Sequence, residues 1–188
     1  ELEIFLRKYP KHSNVDYAYY LMAICYYEQI VDEKKDLNSV VKSKEYFEIV
    51  IDQFPNTDYA LDSKFKLEFV MDILASKEMY LGRYYLKKKK WIAAINRFKT
   101  VLEEYDTTIY IEEALHRLVE VHYLIGLKEE AKKYASVLGY NYEYSQWYEN
   151  TYALFDKRYE INQKKFSNEN KKKSKFTSKI KSLLKLDE

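Results

Sequence analysis

Apolar positions recur along this chain at helical spacing, in pairs of stripes separated by short polar corners. Between Leu81 and Asp106, Leu81, Gly82 and Tyr85 fall at i, i+1 and i+4, and Trp91, Ala94, Phe98 and Val101 at i, i+3, i+7 and i+10. Each set gathers on one face of a 3.6-residue helix. A small residue (Gly82, Ala94) alternating with a large one (Tyr85, Phe98) predicts two helices in close contact around a corner at Lys88–Lys90. The small, large and medium positions of the second helix return elsewhere. Ser43, Phe47 and Val50 precede Pro55, and Ala94, Phe98 and Val101 precede Asp106. Ala131, Ala135 and Leu138 precede Glu143, and Leu2 and Phe5 precede Pro10.

The order L-G-x-x-Y, an aromatic, then A-x-x-x-F resembles the tetratricopeptide (TPR) repeat, a helical hairpin that stacks on its neighbours. The partner helices agree: Tyr20, Ala23, Ile24 and Tyr27 share one face, as do Leu118, Val119 and His122. Gly126 follows at a corner where a left-handed residue ends a helix, whereas Lys89 stands where the repeat usually has glycine. A polar insertion, DEKKDLN, lies between Ile30 and Ser39. From Asp58 to Lys87 the only breaker is Gly82, so one long helix, or two with a slight kink, is expected. Pro55 to Asp58 supply its N-cap candidates. Ser145 is a cap for a further stripe, Trp147, Tyr148, Thr151, Leu154 and Phe155, that seals the stack. The expected fold is all-α: a TPR-like helical-hairpin solenoid, coiled as a right-handed superhelix, with a C-terminal capping helix and a basic tail. Residues 1–162 form the repeat domain, and residues 163–188 a basic linker followed by a short amphipathic helix or a disordered tail.

Composition supports helices over sheets. Only three Gly and two Pro occur in 188 residues, of which 47% are hydrophobic, too few turn formers for a β-rich chain. A single cysteine, Cys25, excludes a disulfide framework, and no apolar run reaches the ~18 residues of a membrane span. The chain opens inside a helical pattern, as a fragment lacking its natural N-terminus would. Nine lysines against three acids make residues 164–188 +6, leaving −4 for the rest of a chain of net charge +2. An acidic body with a basic tail does not read as a nucleic-acid binder. In the tail, Phe176, Ile180, Leu183 and Leu184 share a face flanked by lysines; docking on the body, disorder, or contact with anionic lipid or a partner are the readings open to it.

Enzyme chemistry finds no foothold. His12, His116 and His122 lack zinc-site spacing, Cys25 has no nearby His or second cysteine, and three scattered glycines build no phosphate loop. His122 replaces a packing aromatic of the repeat and is expected in the core. No cofactor and no metal are expected. A repeat stack offers a curved surface instead. The first helix of each hairpin places Leu21, Cys25, Met79, Arg83, Leu86, His116, Glu120 and Tyr123 on the concave side, a mixed groove suited to a peptide; plain solvent exposure is the other reading.

Several strings together resemble one family, the BamD-type outer-membrane assembly lipoproteins, also described as competence lipoproteins. They are DYAYY at 16–20, CYYEQI at 25–30, FPNTDYA at 54–60, LA-x-KE at 74–78, GRYYL at 82–86, AAINR at 93–97 and S-x-WY at 145–148. They cover roughly residues 1–155 in the family's order. The resemblance implies a non-catalytic scaffold on the periplasmic face of the Gram-negative outer membrane, held by a lipidated N-terminal cysteine that is absent here; Cys25, mid-helix, is not that site. It implies docking onto a periplasmic POTRA domain of the barrel subunit, the company of other assembly lipoproteins, and delivery of unfolded outer-membrane proteins. The arginine of the family's Asn-Arg pair, matched by Arg97 after Asn96, is implicated in that docking, and Arg83 and Tyr84 are carried as neighbouring partner-binding candidates. A soluble TPR adaptor for an unrelated peptide is the alternative, and a membrane-surface or nucleic-acid binder driven by the tail a second one.

Overall fold

The computed structural model of the protein describes residues 1–30 and 37–155. These form eight helices and, among the described residues, no strand. They are α1 (Leu2–Lys8), α2 (Val15–Tyr27), α3 (Asn38–Gln53), α4 (Asp58–Lys87), α5 (Trp91–Glu104), α6 (Ile111–Leu124), α7 (Lys128–Asn141) and α8 (Gln146–Phe155). Consecutive helices pack on one another across short corners, giving the TPR-like pairs α2–α3, α4–α5 and α6–α7. The 31–36 part of the polar insertion, and the expected linker and amphipathic segment after 163, lie outside the described residues.

The repeat positions form the core, for the reason their sizes suggest. Ser43, Phe47 and Val50 of α3 and Ala94, Phe98 and Val101 of α5 are fully buried. Phe98 sits so close to Gly82 that a Cβ there would lie 2.8 Å from ring atoms Cδ1 and Cζ; only hydrogen fits between α4 and α5. The fourth copy departs. Ala131 and Leu138 are buried, but Ala135 is too short to fill the large position, and Tyr134 packs against the core cluster in its place. Tyr134 also faces His122, whose Nδ1 lies 2.7 Å from the Leu118 carbonyl oxygen, so His122 is the interface histidine expected.

α4 is one continuous helix of 30 residues. Val70 and Leu74, near its middle, join a cluster with Ala23, Val40 and Phe47. Its second half gives Ala75 and Met79 to a second cluster with Ala94, Phe98, Leu118 and Val121. Thr57 caps its start, accepting from the Ala60 N–H at 3.2 Å, and Ser145 caps α8 by accepting from the Tyr148 N–H at 3.1 Å. Two corners close alike. Lys89 (φ 57°) and Gly126 (φ 86°) take the left-handed conformation. The Lys90 N–H then reaches back to the Tyr85 carbonyl at 2.9 Å, and that of Leu127 to His122 at 2.8 Å. The glycine position of the repeat is thus kept in geometry where Lys89 replaces the residue.

Candidate protein-docking site

Arg97 lies on α5 where that helix crosses α4. Its Nη1 donates to both carboxylate oxygens of Glu78, at 3.2 and 3.0 Å. The Glu78 side chain is 16% exposed and that of Arg97 42%, so the guanidinium is held through one terminal nitrogen and still open to solvent. A charged, planar donor fixed in this way can meet a partner's carboxylate with little further loss of side-chain freedom. Asn96 is exposed beside it.

Arg83 is clamped elsewhere. Its Nη1 meets Glu113 of α6 at 2.9 Å, and Glu113 also accepts from Arg117 Nε at 3.3 Å. Arg117 Nη1 continues to Glu120 at 2.7 Å, and its guanidinium lies over the Trp147 ring, 5.6 Å from the centroid. This ladder joins α4, α6 and α8 through one nearly buried carboxylate. Tyr84 is exposed next to Arg83, its ring edge-on to Tyr85 and within 5.9 Å of Lys88 Nζ. Arg83 and Arg97 therefore serve two different helix junctions.

The expected groove divides. Cys25 is exposed, and Leu21, Arg83, Leu86, Glu120 and Tyr123 are half-buried. Met79 is a correction: it is fully buried in the α4–α5–α6 cluster, because α5 and α6 close over that face of α4. His116 is another. It is buried, its Nδ1 2.8 Å from Thr151 Oγ1 and its ring 5.3 Å from Trp147, beneath α8. Burial, with the Arg117 charge second, depresses the His116 pKa from 6.5 to about 4. Tyr123 stands edge-on to Phe155 at 5.5 Å, at the end of the same cap.

Sequence reasoning missed an exposed apolar stripe on the first half of α4, Leu61, Phe65 and Phe69. Their i, i+4, i+8 spacing marks it. Phe69 meets Tyr27 of α2 at 5.8 Å, beside the bond from Tyr20 Oη to Asp62, at 2.7 Å. Burial, with that bond second, pushes the Tyr20 pKa up to about 12. Glu78 and Glu113, the partners that fix the arginines, were also missed, since contacts of 19 and 30 residues' separation leave no local spacing. Among the described residues no group of acidic, His and Cys side chains could hold a metal ion, and no helix is long and apolar enough to cross a membrane.

A family model described as outer membrane lipoprotein (YfiO) matches residues 1–138. The protein named outer membrane protein assembly factor BamD of Rickettsia prowazekii (strain Madrid E) is 52% identical over 153 residues, 81% of this chain and 61% of its own length. Its namesake from Caulobacter vibrioides is 46% identical over 152 residues, covering 81% and 50%. That of Neisseria meningitidis serogroup A is 29% identical over 154 residues, covering 75% and 57%. The chain thus spans between half and three-fifths of the length of these relatives.

Proposed function

The chain belongs to the YfiO outer membrane lipoprotein family of BamD-type proteins, and on that premise we propose that it is a scaffold of outer-membrane β-barrel assembly that binds a POTRA domain of the barrel subunit through Arg97. Relatives named as outer membrane protein assembly factors support the assembly role. The observation that carries the docking site is Arg97 itself, fixed by Glu78 yet 42% exposed. Asn96 supplies a neighbouring amide, and Arg83 and Tyr84 extend the surface toward α6. The whole protein sits at the periplasmic face of the membrane, lipid-anchored, beside other assembly lipoproteins. It helps deliver unfolded barrel proteins, for which the half-buried groove residues and the Leu61–Phe65–Phe69 stripe are the binding surface. Its work is positioning, without catalysis.

The test is binding of this chain to the POTRA region of its own organism's barrel subunit, by calorimetry, with the parent and Arg97→Gln side by side. Glutamine keeps a donor for Glu78, so folding is preserved and checked by thermal melting. Loss of an interfacial charge contact lowers affinity by ~2–5 kcal/mol. Equal affinity in the variant moves the contact elsewhere. A folded parent that does not bind refutes the docking and leaves the peptide-adaptor reading.

A further inference from the structure

α4, α6 and α8 run in the same direction, each separated from the next by an antiparallel neighbour. The α4–α5 corner, the α6–α7 corner and the end of α8 consequently share one edge of the stack; Phe155, against Tyr123 at 5.5 Å, marks the third. Lys87, Lys88, Lys89 and Lys90 are all exposed at this edge, as is Lys128. Three large aliphatic side chains stand among them: Ile92 is 69%, Leu124 59% and Leu127 50% exposed. The nearby acids are occupied, Glu129 by Lys132 at 2.8 Å and Glu130 by Lys133 at 2.7 Å.

The backbone adds a second observation. Lys89 is the one non-glycine in the left-handed region among the described residues, while the equivalent corner uses Gly126. A side chain in that conformation meets a steric strain that glycine avoids. Local stability is given up here for a cation, and strain of this kind marks positions held for a use.

From this edge we propose a second membrane contact: the corner tips of α4–α5 and α6–α7 rest on a bilayer surface rich in anionic phospholipid, the lysines at headgroup level and Ile92, Leu124 and Leu127 entering the interface. Charge complementarity selects this occupant. Residues 87–92 carry four lysines and no acid, within a body whose overall charge is negative. Isolated aliphatic tips among cations that meet no carboxylate, Lys88 and Lys128 lying instead over the Tyr84 and Tyr123 rings, suit a fluid, deformable anionic surface. The contact leaves out Arg97 and Glu78 and meets the docking surface only where Lys88 lies over the Tyr84 ring.

Co-sedimentation of the full chain with vesicles of phosphatidylcholine alone, or mixed with phosphatidylglycerol, tests this. The parent should pellet with the anionic vesicles only, and less so as salt rises. Each lysine removed should lower partitioning about fivefold, so Lys89→Gly loses that factor while melting at a higher temperature than the parent. A rise in stability together with a loss of lipid binding cannot come from misfolding. The paired change Leu124→Gln and Leu127→Ser should weaken binding in the anionic mixture as well. Parent-like binding by Lys89→Gly and by the triple change Lys87→Gln, Lys88→Gln, Lys90→Gln overturns the proposal. Binding that disappears only when the lysines of 164–188 become glutamine assigns it to the tail and overturns it equally.

Discussion

Replacing Gly82 by alanine sets two effects against each other where α4 closes on α5. In an open helix the change stabilises by ~0.5–1 kcal/mol, because alanine loses less backbone freedom than glycine. At this position the new methyl would stand 2.8 Å from Phe98 Cδ1 and Cζ, about an ångström inside normal carbon contact. Phe98 has no exposed surface and is walled in by Met79, Ala94, Val101 and Leu118, so its ring has nowhere to turn. Overpacking of this kind costs ~1–3 kcal/mol. The steric term wins, and a net loss of ~1–2 kcal/mol is expected, or roughly 3–8 °C in melting temperature. Urea unfolding followed by far-UV circular dichroism measures it. Adding Phe98→Leu opens the space, so the double-mutant cycle should return a coupling of at least ~1 kcal/mol. A Gly82→Ala protein as stable as the parent, or more stable, would refute the claim that hydrogen alone fits between α4 and α5.

Two further outcomes follow from the polar junctions. Glu113→Gln removes the charge that Arg83 and Arg117 share and should cost ~1–2 kcal/mol, since the carboxylate is nearly buried but both arginines keep some solvent; urea midpoints report it. His116 binds its proton near pH 4 when folded and near 6.5 when unfolded. The unfolded chain therefore takes up the proton first, and stability falls as pH drops from about 6.5 to about 4, by up to about 3 kcal/mol. Melting curves across that window should show the slope, and His116→Gln should flatten it; an unchanged slope would mean another group titrates.

Much of this was legible because the signal was local. The small, large and medium positions needed only their intervals to be placed in the core, Thr57 and Ser145 only their place before an apolar stripe, and Lys89 only its match to Gly126. The concave positions were harder, because exposure depends on what another helix covers. Met79 and His116 have the right phase for a groove, yet α5 and α6 bury the first and α8 the second. Ala135 kept the interval but not the volume, so Tyr134 moved in from the adjacent position. The carboxylates behind Arg83 and Arg97 come from other helices, and pairing across such distances is set by packing that no spacing encodes.

The length of α4 has a mechanical consequence. At 30 residues it is a rod of about 45 Å, and both hydrophobic clusters are bolted to its middle, one through Val70 and Leu74 and the other through Ala75 and Met79. The turn at residues 54–57 still joins α4 to α3, but between the two clusters the backbone has no turn, only unbroken helix. Whatever loads the α2–α3 end is felt at the α5–α6 end as displacement of a stiff lever, with little lost in bending. Two binding surfaces at opposite ends of such a strut stay at a constant separation and orientation, as points on a jig do.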